Sequence, residues 1–251
     1  MRYKSLKRNI FTVVIVFFLL ISPVSAQDKL HVAVAANFIS TFQELTKLFE
    51  KQTGMPVEAT YASTGQLYTQ IVNGAPYDLF LSADREKPDL LHQAGRADIP
   101  FVYASGQVIL WTKQKDLCVA KNWREVLATA GLKKIAVANP KTAPYGAAAM
   151  EALKKTGVLE NVQGKLVYAQ NIAQAFQYAA TGSVDAGFCA LSATTSAEGR
   201  KGCFFSIDEA PPIVQGACLM KRTAHREASE KFAAFLVSPE AQAVKKKYGY
   251  R

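Results

Sequence analysis

Four short segments carry residue types that could hold an anion: Ala36-Asn37, Ser63-Thr64-Gly65, Pro144-Tyr145-Gly146 and Asn171-Ile172. Each follows a β-rich apolar run and opens a stretch of helical periodicity. The first turn of a helix leaves backbone N–H groups without internal partners, and the aligned peptide dipoles place partial positive charge there. Such an end takes up an anion without any lysine or arginine. Taken singly, Asn37, Ser63, Thr64 and Asn171 are also the types that cap helices, so capping alone accounts for each. Taken together, four junctions split two and two along the chain could converge on one ligand, with small neighbours that let backbone approach closely. Tyr145 is either a surface ring following Pro144 or part of the ligand wall.

Rival chemistries lack their residues. The sequence holds no G-x-x-x-x-G-K-[ST] loop, no G-x-G-x-x-G, no H-E-x-x-H and no G-x-S-x-G. Asp78 and Asp84 read as turn and cap residues rather than a catalytic pair, because no histidine stands beside them in sequence. His31, His92 and His225 lie far from Cys118, Cys189, Cys203 and Cys218 and from one another, and no two cysteines show a C-x-x-C spacing. A protein metal site therefore has little support. Four cysteines suit one or two disulfides after export, with three pairings open if all four join. Trp111 and Trp123 read as packing residues.

The elements that must position the junctions alternate. Lys29 to Ala36 is an apolar run of strand length, and Phe38, Phe42, Leu45 and Phe49 then recur at helical spacing up to Gly54. Strands at 56–61 and 77–82 and helices at 66–72 and 87–94 continue a β-α series that predicts a parallel sheet. A strand at 106–112 and a helix at 122–130 lead into a second series: strands at 134–138, 166–168 and 186–191, helices at 146–155 and 173–180. Two more apolar stretches, 203–207 and 213–220, flank Pro211-Pro212, and two helices, beginning near Glu227 and Pro239, end the chain. The pattern predicts an α/β protein of two lobes, each a mostly parallel sheet flanked by helices, with a ligand cleft between them. Lobe one is placed at 27–105 plus 218–251, and lobe two at 106–217.

The first residues bear on the compartment. Arg2, Lys4, Lys7 and Arg8 precede an apolar run from Ile10 to Ile21, and Val24-Ser25-Ala26 supplies the small residues a signal peptidase accepts. Residues 1–26 are thus expected to be a cleaved signal peptide, leaving a periplasmic chain that begins near Gln27. Loss of the leader removes four positive charges from a net charge of +10, and the remainder is spread out, so nucleic acid binding is not indicated.

At the junctions the chain resembles the periplasmic molybdate-binding proteins of ABC-type transporters. The resemblance is carried by Val32-Ala-Val-Ala-Ala-Asn37-Phe38, Tyr61-Ala-Ser-Thr-Gly-Gln-Leu67, Gly74-Ala-Pro-Tyr-Asp-Leu-Phe-Leu-Ser-Ala-Asp84, Asn139-Pro140, Pro144-Tyr-Gly146 and Tyr248-Gly249-Tyr250. It implies a type II periplasmic binding protein, not an enzyme, that captures molybdate or tungstate and delivers it to an inner-membrane permease, as a monomer and without a cofactor. The ligand-binding residues it implies are Asn37, Ser63, Thr64, Tyr145 and, through its backbone N–H alone, Ile172, touching the metal only through its oxygens. Some family members use a tyrosine hydroxyl where this chain has Ala190, and Tyr145 is expected to replace that donor. The junctions contain no acid that could accept the proton of a phosphate, which argues against phosphate. A binder of sulfate or another small tetrahedral oxyanion is the nearest alternative, and an exported hydrolase a more distant one.

Overall fold

The computed structural model describes residues 29–251, so the leader and its cleavage site lie outside the described residues. The chain begins with β1 (Leu30–Ala35), a 3-10 turn at Ala36–Phe38, α1 (Ile39–Thr53), β2 (Val57–Ala62), α2 (Thr64–Val72), β3 (Leu79–Leu81), α3 (Glu86–Gln93) and β4 (Phe101–Gly106). It continues through β5 (Val108–Thr112), α4 (Trp123–Ala128), β6 (Ile135–Ala138), α5 (Pro144–Lys155), α6 (Leu159–Val162), β7 (Leu166–Ala169), α7 (Ile172–Thr181), β8 (Ala186–Ala190) and β9 (Cys203–Ser206). The ending is β10 (Ile213–Leu219), α8 (Arg226–Leu236) and α9 (Pro239–Lys247). Among the described residues no helix is long and apolar enough to cross a membrane.

Two five-stranded sheets result, in the orders β2-β1-β3-β10-β4 and β7-β6-β8-β5-β9. The expected mostly parallel sheets are present, and each is mixed by a single reversed strand. In the first, β1 pairs parallel with β2 and β3, while β10 runs antiparallel between β3 and β4. In the second, β6 pairs parallel with β7 and β8, while β5 runs antiparallel between β8 and β9. The cause lies in the crossings. Only Gln107 separates β4 from β5, and the return strand β10 enters beside β4 in the opposite direction.

Pairing of β10 starts at Ile213↔Gly106, directly after the proline pair, so the chain rejoins the first sheet at Ile213 and not at 218. Gly106 likewise still belongs to β4. Central strand β1 is buried on both faces, as its unbroken apolar run requires. Val32 and Val34 pack with Phe38, Phe42, Phe49 and Phe232, where Phe49 and Phe232 meet edge to face at 4.9 Å; Ala33 packs with Leu67, Ile71 and Leu91. A separate core around Trp111, Trp123 and Phe188 fills the second sheet. Cys118 and Cys203 form a disulfide that ties the loop after β5 to β9; Cys189 and Cys218 are buried free thiols, with burial pushing Cys218 up to about 12.

Lys245 of α9 is buried, its Nζ donating to the carbonyl oxygens of Tyr103 and, at 2.9 Å, Leu236. Burial pulls its pKa down from 10.5 to about 8. Between those values the unfolded chain holds a proton that the folded chain has released, so this residue makes stability rise with pH across that window. The unfolding free energy of the wild type minus that of Lys245→Met is therefore expected to climb by roughly 2 kcal/mol between pH 8 and 10 in denaturant titrations. A flat difference would mean that the folded ammonium is as well solvated as the unfolded one.

Candidate functional site

The carboxyl ends of β1 and β2 in one sheet, and of β6 and β7 in the other, lead into helices, directly or through a short turn. Each pair lies adjacent and parallel, so each sheet presents two helix starts at one edge. β1 passes into the 3-10 turn at Ala36 and then α1, and β2 into α2 behind Ser63. Asn139 folds the turn before α5 by accepting the N–H groups of Thr142 and Ala143 on its carbonyl, at 3.1 and 2.9 Å. At α7, Asn171 Oδ1 caps the helix by accepting the Gln174 N–H at 3.0 Å.

These starts meet. One small cavity is lined by Asn37, Ser63, Thr64, Tyr145 and Ile172, together with Ala35, Ala36, Ala83, Ala143, Pro144 and Asn171. The structure thus brings all five residues singled out from the sequence to one place. No charged side chain is among the lining residues. Asp84, Arg85, Lys87 and Lys141 instead line a wider cleft beside it. Among the described residues no cluster of three or more His, Cys, Asp or Glu could hold a metal ion.

The side chains differ in what they have left to offer. Thr64 Oγ1 accepts the Ala83 N–H at 2.9 Å, which leaves its own proton to donate. The Ser63 hydroxyl donates to Gln66 Oε1 at 2.9 Å, and the same oxygen accepts the Ser63 N–H at 3.2 Å, so this hydroxyl serves the helix end. Asn37 Nδ2 donates to Gln215 Oε1 at 2.9 Å and to the Tyr250 hydroxyl at 3.1 Å. What Asn37 can still turn toward an anion is its main-chain N–H, and its Oδ1 is buried without a partner. Ile172 stands first in α7, where the backbone N–H has no helical partner.

The Tyr145 hydroxyl, expected to stand in for the donor missing at Ala190, accepts from Gln215 Nε2 at 3.3 Å and has the Tyr250 phenol as a neighbour. Burial holds the phenols of Tyr103 and Tyr145 well above their usual range and that of Tyr250 at about 12, so all three stay neutral. Ala190 ends β8 and lines a neighbouring cavity. Two residues on, Ser192 reaches the site by donating to the Asn37 carbonyl at 2.9 Å.

The two sheets touch around this cavity. The Gly65 N–H donates to the Thr142 carbonyl at 2.9 Å, and a Cβ on Gly65 would lie 3.0 Å from Thr142 Cα. Sequence reasoning missed this clasp, and it missed Gln215, Tyr250, Tyr103 and Ser192. Two signals were present: Gln215 is the one polar side chain in the run from Ile213 to Leu219, and Tyr250 ends the Tyr248-Gly249-Tyr250 pattern.

The family model described as bacterial extracellular solute-binding protein matches residues 30–251. The chain belongs to that family. The molybdate-binding protein ModA of Rhodobacter capsulatus is 40% identical to this solute-binding protein over 229 residues, 90% of this chain and 89% of that one. ModA of Azotobacter vinelandii is 38% identical over 227 residues, 88% of this chain and 89% of that one. The solved Azotobacter vinelandii periplasmic molybdate-binding protein superposes with a TM-score of 0.84 at 37% identity, covering 89% of this chain and 99% of that chain. The resemblance noted from the junction motifs is therefore shared over most of the chain, and a member of this family is a binding protein, not an enzyme.

With molybdate as the probe, Thr64→Val is expected to weaken binding by about 1–3 kcal/mol, the cost of a donor lost to a charged group, while Thr64→Ser stays near wild type. Ser63→Ala should instead lower the melting temperature through loss of the helix cap, about 1 kcal/mol, with a smaller change in affinity. Isothermal titration and thermal melts on the three variants check this. Equal affinity losses at Ser63 and Thr64 would contradict the division of labour.

Proposed function

We propose that this chain captures molybdate or tungstate, as the dianion, in the periplasm and presents it to an inner-membrane ABC permease. One observation carries the proposal: four helix starts from two sheets converge on a small cavity lined by neutral groups. A fully ionised oxyanion needs only donors, and helix N-termini supply them with a favourable dipole. The relatives at 38–40% identity, both named for molybdate, support the same ligand. The five residues Asn37, Ser63, Thr64, Tyr145 and Ile172 form the wall, with the Thr64 and Tyr145 hydroxyls as side-chain donors and backbone N–H groups supplying the rest.

Residues 29–106 with 213–251 act as one lobe and 107–212 as the other, hinged where the chain crosses at Gly106–Val108 and Pro211–Ile213. The basic leader directs export, and the chain acts as a monomer.

A second reading has one observation in its favour. The unpaired Asn37 Oδ1 could accept the proton of hydrogen phosphate. A neutral amide oxygen is a weaker acceptor for that purpose than a carboxylate, so the unprotonated dianion is preferred. Thermal melts of the exported form with molybdate, tungstate, sulfate and phosphate separate the cases. At 100-fold excess over the dissociation constant, binding adds about 2.7 kcal/mol, which raises the melting temperature of a chain this size by roughly 5–10 °C. Shifts with molybdate and tungstate alone are expected; a shift with phosphate alone favours the second reading, and no shift with molybdate or tungstate ends the first.

A further inference from the structure

Four side chains form an open hydrogen-bonded ring of three bonds beside the cavity. Asn37 Nδ2 donates to Gln215 Oε1 at 2.9 Å and to the Tyr250 hydroxyl at 3.1 Å. Gln215 Nε2 donates to the Tyr145 hydroxyl at 3.3 Å, and Tyr145 and Tyr250 are neighbours across the remaining gap. Exposure is 6% for Asn37, 0% for Gln215, 1% for Tyr145 and 4% for Tyr250. Asn37 and Tyr145 line the cavity from opposite sheets, and Gln215 and Tyr250 do not line it.

Both connecting residues are held in place by features with no other evident use. Gln215 sits at the one register break of β10, between Gln215 and Gly216, where a bulge re-aims a side chain. The segment carrying Tyr250 is stitched to β4 by two main-chain bonds, Ser105 N–H to Arg251 O at 2.7 Å and Arg251 N–H to Ser105 O at 3.0 Å. The ring rests on the first crossing: a Cβ on Gly106 would fall 2.0 Å from the Tyr145 hydroxyl oxygen.

We propose that Gln215 is a positioning residue of the anion site, which turns the Tyr145 hydroxyl so that its proton is kept for donation and holds Asn37 so that its main-chain N–H faces the ligand. The inference rests on the anion-capture reading. A glutamine offers an acceptor at one atom and a donor at the other. Gln215 Oε1 lies 2.9 Å from each of two donors, Asn37 Nδ2 and the Tyr103 hydroxyl, which leaves Nε2 to face Tyr145. The Tyr145 oxygen is then an acceptor toward Gln215, and its proton must point to Tyr250 or into the cavity. Tyr250 supports the same arrangement by donating to the Asn37 carbonyl at 2.7 Å. A glutamate here would reverse the polarity, drawing the Tyr145 proton to itself and adding a buried negative charge near a dianion. The titratable groups bonded to Gln215 are the phenols Tyr103 and Tyr145, with Tyr250 joined to it through Asn37, all neutral below about pH 10.

The test measures molybdate affinity and release rate for the wild type, Gln215→Glu, Gln215→Met and Tyr250→Phe between about pH 5 and 8. Gln215→Met and Tyr250→Phe are expected to bind about tenfold more weakly, mainly through faster release. Gln215→Glu is expected to lose on the order of 100-fold at pH 8, and to recover relative to the wild type as the pH falls and the acid regains a donor proton. A merely structural role would lower melting temperatures without that pH-dependent recovery. Affinity for Gln215→Glu within twofold of the wild type, or a deficit that stays flat with pH, overturns the proposal. Should Gln215→Glu fail to fold, wild-type affinity and release in both other variants overturn it, and the tenfold losses uphold it. A wild type that binds neither molybdate nor tungstate sinks the capture reading itself, and this proposal with it.

Discussion

An anion can leave water only if the groups that replace its hydration shell are already in place and need nothing else. Backbone N–H groups at a helix start meet that condition, because the helix cannot satisfy them and they point outward along its axis. One helix start contributes little, so the fold must bring several to one point. Here the constraint explains why β1 and β2 lie side by side at one edge, why β6 and β7 do the same in the other sheet, and why the two edges face each other. The mixed sheets follow from the same requirement. The chain must cross between them twice, and the crossings enter as antiparallel strands beside the parallel ones.

Neutrality is the second consequence. A lysine or arginine in the cavity would have to be desolvated with the ligand, and a buried charge is costly when the ligand is absent. The structure keeps Arg85, Lys87 and Lys141 in the wider cleft and surrounds the small cavity with amides, hydroxyls and protonated phenols. Buried polar groups in such numbers must be paired among themselves, which is what the ring through Asn37, Gln215, Tyr145 and Tyr250 accomplishes. Asn37 is the point where the two demands meet. Its side-chain amide protons belong to the ring, so its contribution to an anion comes from its main chain.

Much of this was legible in the sequence because it is local. Helix starts are announced by the residues that cap them, and Asn37, Ser63, Thr64 and Asn171 stand at the ends of apolar runs whose length and periodicity already mark strand and helix. What depends on distant pairing was not legible. Nothing in Phe101–Gly106 or Ile213–Leu219 states which strand it joins, so the one reversed strand of each sheet and the return at Ile213 emerged only from the fold. The same limit hid the ring. Asn37 is separated from Gln215 by 178 residues and from Tyr250 by 213, and the Tyr145 hydroxyl, expected to stand in for the donor missing at Ala190, is engaged by Gln215. Of the three cysteine pairings open at the outset, only spatial proximity selects Cys118 with Cys203.

The central claim is that uncharged donors at converging helix starts hold the ligand. A crystal structure of the protein soaked or grown with tungstate, with the metal located by its anomalous scattering, tests it most directly. The account predicts the metal in the small cavity, its oxygens about 2.7–3.2 Å from the Thr64 hydroxyl and from backbone nitrogens at Asn37, Tyr145 and Ile172. Tungsten in the wider cleft, gripped by Arg85, Lys87 or Lys141, would contradict it.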